Sequence, residues 1–162
     1  MGFSFLGNTG LNISRLGIEL AEIGRGSLTP AEVTKINRVL NLVLDSGINF
    51  LDTAACYGIS EELIGRTIPH RRHEVFLIMK CGHVAGGYPE KPWSTKTIMD
   101  SIDQSLNCMR TDYLDLIQLH SCSLDILEAA EQLKPFSKQN GRGKPVLSDI
   151  AEIMKKLTRQ LE

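Results

Sequence analysis

Gly47-Ile48-Asn49-Phe50-Leu51-Asp52-Thr53-Ala54-Ala55-Cys56-Tyr57-Gly58 sets an acid at the end of an apolar, β-leaning run. Small residues, a tyrosine and a glycine follow it. Ile48, Phe50 and Asp52 share one strand face, because side chains alternate along a strand. A carboxylate closing a hydrophobic strand is costly to bury unless a partner offsets the loss of water. Asp52, with the phenol of Tyr57 five residues on, is therefore where chemistry is first sought.

The segments on either side repeat one pattern. Upstream, Thr29-Pro30-Ala31-Glu32 carries a cap, a first-turn proline and an acid, the signals that start a helix. Val33, Ile36, Val39, Leu40, Val43 and Leu44 then recur at helical spacing until Ser46-Gly47. Downstream, Ser60 is the expected cap of a short helix that ends before Pro69, and His70-Arg71-Arg72-His73 reads as a solvated polar connection. Glu74 to Lys80 is a near-continuous apolar run, as in a strand covered on both faces. Gly82 to Trp93 is a Gly- and Pro-containing loop. Ser94 caps a helix to about Met109, with Ile98, Ile102 and Leu106 on its inner stripe, and Tyr113 to His120 is another buried strand. Strand and helix alternating at intervals of about thirty residues indicate βαβ units around a parallel sheet.

The ends are less regular. Phe3–Leu6 and Leu11–Ser14 flank Gly7-Asn8-Thr9-Gly10 and predict a β-hairpin. Leu16 to Ile23 is the expected first core strand, although Glu19 and Glu22 interrupt its pattern, and Gly24-Arg25-Gly26-Ser27 is a loop, one GxG being a weak phosphate-binding signal. Leu124–Leu133 reads as helix, Pro135–Pro145 as a polar break, and Leu147–Leu161 as a last amphipathic helix. The expected organisation is a half-barrel over residues 1–127 followed by a divergent helical tail over 128–162.

Composition narrows the function classes. A formal net charge of -1 over 162 residues gives no electrostatic case for nucleic acid or an acidic membrane as partner. No apolar run is long enough to span a bilayer and no signal peptide is evident. Cys56, Cys81, Cys108 and Cys122 form no CxxC, which suggests reduced thiols and a cytoplasmic protein. Cys81-Gly82-His83 and His120-Ser121-Cys122 put two Cys/His pairs at neighbouring strand ends, but ligands one residue apart are atypical of structural zinc.

Asp52, Lys80 and His120 each close a predicted strand, and parallel strand ends meet at one rim, where α/β barrels carry their active sites. Tyr57 lies just beyond the first of them. An acid, a lysine, a histidine and a tyrosine at one rim make a proton-transfer site. A free phenol has a pKa near ~10 and is a poor acid at neutral pH unless a cation stabilises its phenolate. Lys80 is placed to do so, Asp52 to hold Lys80, and His120 to orient a carbonyl oxygen. Tyr57 then protonates that oxygen while a nicotinamide delivers hydride, which no side chain can supply.

The stretch from Gly47 to Gly58, followed by Ser60-Glu61-Glu62-Leu63-Ile64-Gly65, strongly resembles the aldo-keto reductases. Leu6 to Gly17 is similar to the same family's N-terminal hairpin, and Glu74-Val75-Phe76 to Lys80 and Thr111 to His120 are similar to further family segments. The likeness covers about residues 3 to 127. It implies a (β/α)₈ barrel, NADPH or NADH as cofactor and reduction of a small aldehyde or ketone. It matches Asp52, Tyr57, Lys80 and His120 to the catalytic tetrad, with Tyr57 as general acid and Asp52 also bordering the cofactor. The Ser-Asn pair, the stacking aromatic and the basic loop of the family's later half find no match beyond about Glu128.

Length sets a limit on this expectation. A (β/α)₈ barrel typically needs ~250 residues, whereas this sequence supplies about four strands, so a partial barrel of a truncated or internally deleted relative is expected. Its outer strands would be open edges, which recruit partners. Self-association, or cover from the helix over Leu147–Leu161, is the expected remedy. The alternative function is a catalytically inactive half-barrel that binds a partner or another copy of itself.

Overall fold

The computed structural model describes residues 1–83 and 91–126, with the backbone alone at Thr95. Strands β1 (Phe3–Phe5) and β2 (Asn12–Ser14) form an antiparallel hairpin pairing Phe3 with Ser14. Its turn closes through Leu6 N–H to Leu11 O at 2.9 Å, with Gly7 and Gly10 both at positive φ. Asn49 ties the hairpin to the rest of the chain. Its side-chain oxygen accepts from Ser14 N–H at 2.7 Å, and its own N–H donates to Ser14 Oγ at 3.0 Å.

β3 (Ile18–Glu19), β4 (Phe50–Ala54), β5 (Phe76–Cys81) and β6 (Leu116–Leu119) make one parallel sheet in that order. Helices α1 (Pro30–Asp45), α2 (Ser60–Thr67) and α3 (Thr95–Met109) connect them. The result is a partial (β/α)₈ barrel. Among the described residues no helix is long and apolar enough to cross a membrane.

Alternation divides the sheet between two purposes. Leu51, Leu77, Met79 and Ile117 face the core with Ile36 and Leu40 of α1, Leu63 and Ile64 of α2, and Ile98 and Ile102 of α3. The register pairs Glu19 with Asp52, Asp52 with Ile78, and Lys80 with Gln118, which sets Glu19, Asp52 and Lys80 on the opposite face.

Local signals place the helices. Thr29 Oγ1 accepts from Glu32 N–H at 3.3 Å and Ser94 Oγ from Thr97 N–H at 3.2 Å, so both expected caps form. Ser60 is no cap. Ile59 precedes the helix, and the Ser60 hydroxyl is buried against Thr53 Oγ1 at 3.0 Å, fixing α2 to β4. Helices α2 and α3 meet at Gly65, where a Cβ would stand 2.1 Å from Cys108 O.

Three strand expectations change. The first core strand is two residues long, followed by a 3-10 turn over Ile23–Arg25, because Glu19 turns into the sheet's open face and not the core. The last described strand begins at Leu116, not Tyr113. Asp115 N–H still donates to Leu77 O at 3.1 Å, but Asp115 Oδ2 takes the Leu77 N–H at 2.9 Å and an Arg72 N–H at 2.7 Å, so a carboxylate stands in for one backbone acceptor of the ladder. Asp52 stands two residues before the end of β4 and Lys80 one before the end of β5, while His120 follows β6 directly.

The His70–His73 connection is also more than a solvated link. It lies in a 3-10 turn over Pro69–Glu74. Arg72 is largely buried, pairs with Asp115 and covers the Tyr113 ring at 3.8 Å, while Arg71 bridges Asp45 and Glu74. Residues 124–126 are helical, as expected for the start of Leu124–Leu133. The remainder of that helix, the Pro135–Pro145 break, the Leu147–Leu161 helix and its covering of a sheet edge lie outside the described residues.

Candidate active site

The open face of the sheet converges on the Lys80 ammonium. It donates to Asp52 Oδ2 at 2.7 Å, to the Tyr57 hydroxyl at 3.2 Å and to Glu19 Oε1 at 3.3 Å. The strands bring Glu19, Asp52 and Lys80 together by register, whereas Tyr57 arrives from the turn after β4. That turn is seated on Gly24. Ile59 N–H donates to Gly24 O at 3.2 Å, and a Cβ on Gly24 would meet Tyr57 O at 1.8 Å, so only glycine allows the two loops to touch.

Tyr57 donates its hydroxyl proton to Glu19 Oε1 at 2.7 Å. Glu19 is the functional neighbour that the sequence reading treats as a flaw in a strand. An acid breaking an apolar pattern opposite Asp52 was its only signal. His120 meets the Tyr57 ring edge-on, with ring centroids 5.6 Å apart and planes at 88°. Its Nδ1 lies 3.3 Å from Cys56 Sγ. All four predicted site residues therefore gather at one end of the sheet, joined by Glu19 and Cys56.

Electrostatics divide these groups. Burial raises the Asp52 pKa, opposed by its hydrogen bond from Lys80. Burial works against the Lys80 charge, but the bonds to Asp52 and Tyr57 outweigh it and the pKa rises. Burial, then the bond to Glu19, raises the Tyr57 pKa even with Lys80 opposing. Lys80 thus acts on the phenol in the expected direction, but burial and Glu19, which the expectation left out, outweigh it in the resting site. The bonds from Tyr57 and Lys80 lower the Glu19 pKa, and burial followed by the charges of His83 and Lys80 lowers that of His120, favouring a neutral imidazole.

Asp52 Oδ1 is buried and has no hydrogen-bond partner among the described residues. A buried acceptor facing no donor suits a site that closes around a ligand bearing hydroxyl or amide protons. The ribose and carboxamide of a nicotinamide cofactor carry such protons, and Asp52 Oδ1 is the one acceptor of this kind among the described residues.

The sequence profile described as the Aldo/keto reductase family matches residues 15–158. The chain is 34% identical over 143 residues to an uncharacterized oxidoreductase, YqkF, of Bacillus subtilis, covering 80% of this chain and 44% of that one. It is 30% identical over 149 residues to L-galactose dehydrogenase of Arabidopsis thaliana, covering 86% and 44%. The holo form of aldo-keto reductase AKR11C1 from Bacillus halodurans superposes with a TM-score of 0.61 at 31% identity, over 83% of this chain and 45% of that one. An aldo-keto reductase from Klebsiella pneumoniae in complex with NADPH gives 0.59 at 25% identity, over 78% and 43%. The chain spans a little under half the length of these relatives. With the profile matched over most of its length and the sheet shared with solved members, the chain belongs to the aldo/keto reductase family.

Proposed function

We propose that this chain is an NAD(P)H-dependent oxidoreductase that reduces a small aldehyde or ketone to an alcohol, with Tyr57 as general acid. The observation that carries the reading is Lys80, whose ammonium reaches both Asp52 Oδ2 and the Tyr57 hydroxyl. NADPH or NADH, when bound, supplies hydride to the carbonyl carbon, and Asp52 Oδ1 is the acceptor offered to its donors.

The chain's own residues manage the proton. His120 orients the carbonyl oxygen, and Tyr57 swings its O–H from Glu19 to that oxygen and releases the proton as the alcohol forms. The phenolate left behind is stabilised by Lys80, which Asp52 holds charged. Glu19, more than half exposed, then returns a proton from water to Tyr57. The described residues up to 126 carry this site in a reductase-like half-barrel. The free state of all four cysteines supports the cytoplasm as its compartment. The end strands β3 and β6 are where self-association would occur.

The test is a titration of NADPH fluorescence followed by turnover with a panel of small aldehydes, sugar aldehydes included because of the dehydrogenase named among the relatives. Saturable binding that survives Tyr57→Phe while turnover disappears supports the enzyme. Failure to bind either nicotinamide overturns it and leaves the partner-binding half-barrel.

A further inference from the structure

Three consecutive parallel strands end in residues that share a chemistry the reductase reading leaves partly unused. Cys56 follows β4, His83 follows β5 and His120 follows β6. One ligand atom from each lies within 4.8 Å of the other two. A tetrahedral zinc ion with Zn–N and Zn–S bonds of about 2.1 and 2.3 Å separates its ligand atoms by roughly 3.3–3.8 Å. The Cys56–His120 pair, at 3.3 Å, already has that spacing, and side-chain adjustments of about 1 Å bring in His83.

The loops that carry these ligands are fixed from behind. Ala55 N–H donates to Lys80 O at 3.2 Å and His120 N–H to Cys81 O at 2.9 Å, extending the ladder past the strand ends. Trp93 backbone N–H donates to Gly82 O at 2.7 Å, and its indole N–H to His120 O at 2.9 Å, so one residue clamps the loops bearing His83 and His120. The His83 ring stands 5.3 Å from that of His120 and 5.9 Å from that of Trp93. Cys56 and His120 are half-buried and His83 is exposed, which leaves an approach from solvent. One thiolate and two imidazoles suit a borderline-soft divalent ion, and hard oxygen-seeking cations find no carboxylate in the set.

We propose that Cys56, His83 and His120 form a binding site for Zn²⁺ at the mouth of the candidate active site. Three protein ligands leave the fourth position to water. Occupation takes a nitrogen of His120, so zinc inhibits carbonyl reduction. That consequence rests on the reductase reading; the binding does not.

The experiment is calorimetric titration of the untagged chain with Zn²⁺, paired with Co²⁺ absorption, where a near-ultraviolet band marks a thiolate ligand. One ion per chain is expected, with a Kd at or below about 1 μM. Cys56→Ser should remove the band and weaken binding by about 100-fold, and His83→Ala should weaken it by at least about tenfold. Cys108→Ser, Cys122→Ser and Tyr57→Phe should bind as the parent does, and circular dichroism confirms that each variant is folded. A Kd weaker than about 100 μM in the parent overturns the proposal. A band that persists in Cys56→Ser, or affinity unchanged in His83→Ala, overturns it equally. None of these readouts uses NADPH or turnover, so a failed reductase assay leaves the zinc result interpretable.

Discussion

The Tyr57 hydroxyl donates to Glu19 Oε1 at 2.7 Å, across a pairing of two strands whose residues are 33 positions apart in sequence (Glu19 opposite Asp52). The proton proposed for transfer is thus already engaged, and a carbonyl oxygen must compete with a carboxylate for it. Glu19→Ala should lower KM for the carbonyl about fivefold, the worth of one hydrogen bond near 1 kcal/mol. Steady-state kinetics at saturating NADPH would check this, and a raised KM would count against competition.

Tyr57→Phe removes only the hydroxyl that Lys80 and Glu19 hold. Turnover should fall by at least about 10²-fold, the scale of general acid catalysis. NADPH affinity, read by fluorescence quenching, should stay within about twofold.

Arg72 and Asp115 form the most buried ion pair described, with side chains 12% and 8% exposed. Arg72 also donates to Tyr113 O, and Asp115 accepts from Leu77 N–H. Arg72→Ala would strand that carboxylate at the start of β6. A loss of about 3–5 kcal/mol is expected, seen as a lower urea midpoint.

Glu61 is buried on α2, its carboxylate accepting from Ser105 on α3 at 2.7 Å. Burial raises its pKa to about 7, with the Ser105 bond opposing. The folded state therefore keeps the proton to higher pH than the unfolded chain does. The corresponding stability is fully present below about pH 4.5 and is lost as pH rises to about 7, a difference of roughly 3 kcal/mol. Glu61→Gln should flatten that part of the stability–pH curve in urea titrations. A slope unchanged between native and variant would refute the assignment.

Gly65 lets α2 lie against the end of α3 with no side chain between them. Gly65→Ala gains helix propensity but drives a methyl into Cys108 O. The net expectation is a loss of about 1–3 kcal/mol, measured by thermal unfolding, where the propensity effect alone would raise Tm.

Much of this site is legible in the sequence. Asp52 and Lys80 each stand near the end of an apolar strand run, and Thr29 and Ser94 mark helix starts by bonds made within four residues. Such features depend on neighbours in sequence, and the sequence states them. Glu19 shows the opposite case. Its acid interrupts an apolar strand pattern, and that pattern alone does not reveal which face so short a strand turns inward. Ser60 likewise has the sequence position of a cap, whereas its hydroxyl bonds Thr53 on β4.

The sequence by itself determined the alternating strands and helices, the family and the four residues proposed here as a proton-transfer site. Only the tertiary structure decided that Glu19 holds the Tyr57 proton, that Arg72 belongs to the fold, and that Cys56, His83 and His120 meet. The reason is physical. Secondary structure and caps are set by contacts a few residues apart, but these meetings depend on the register of parallel strands and on loops such as Gly24 and Trp93 that press against them.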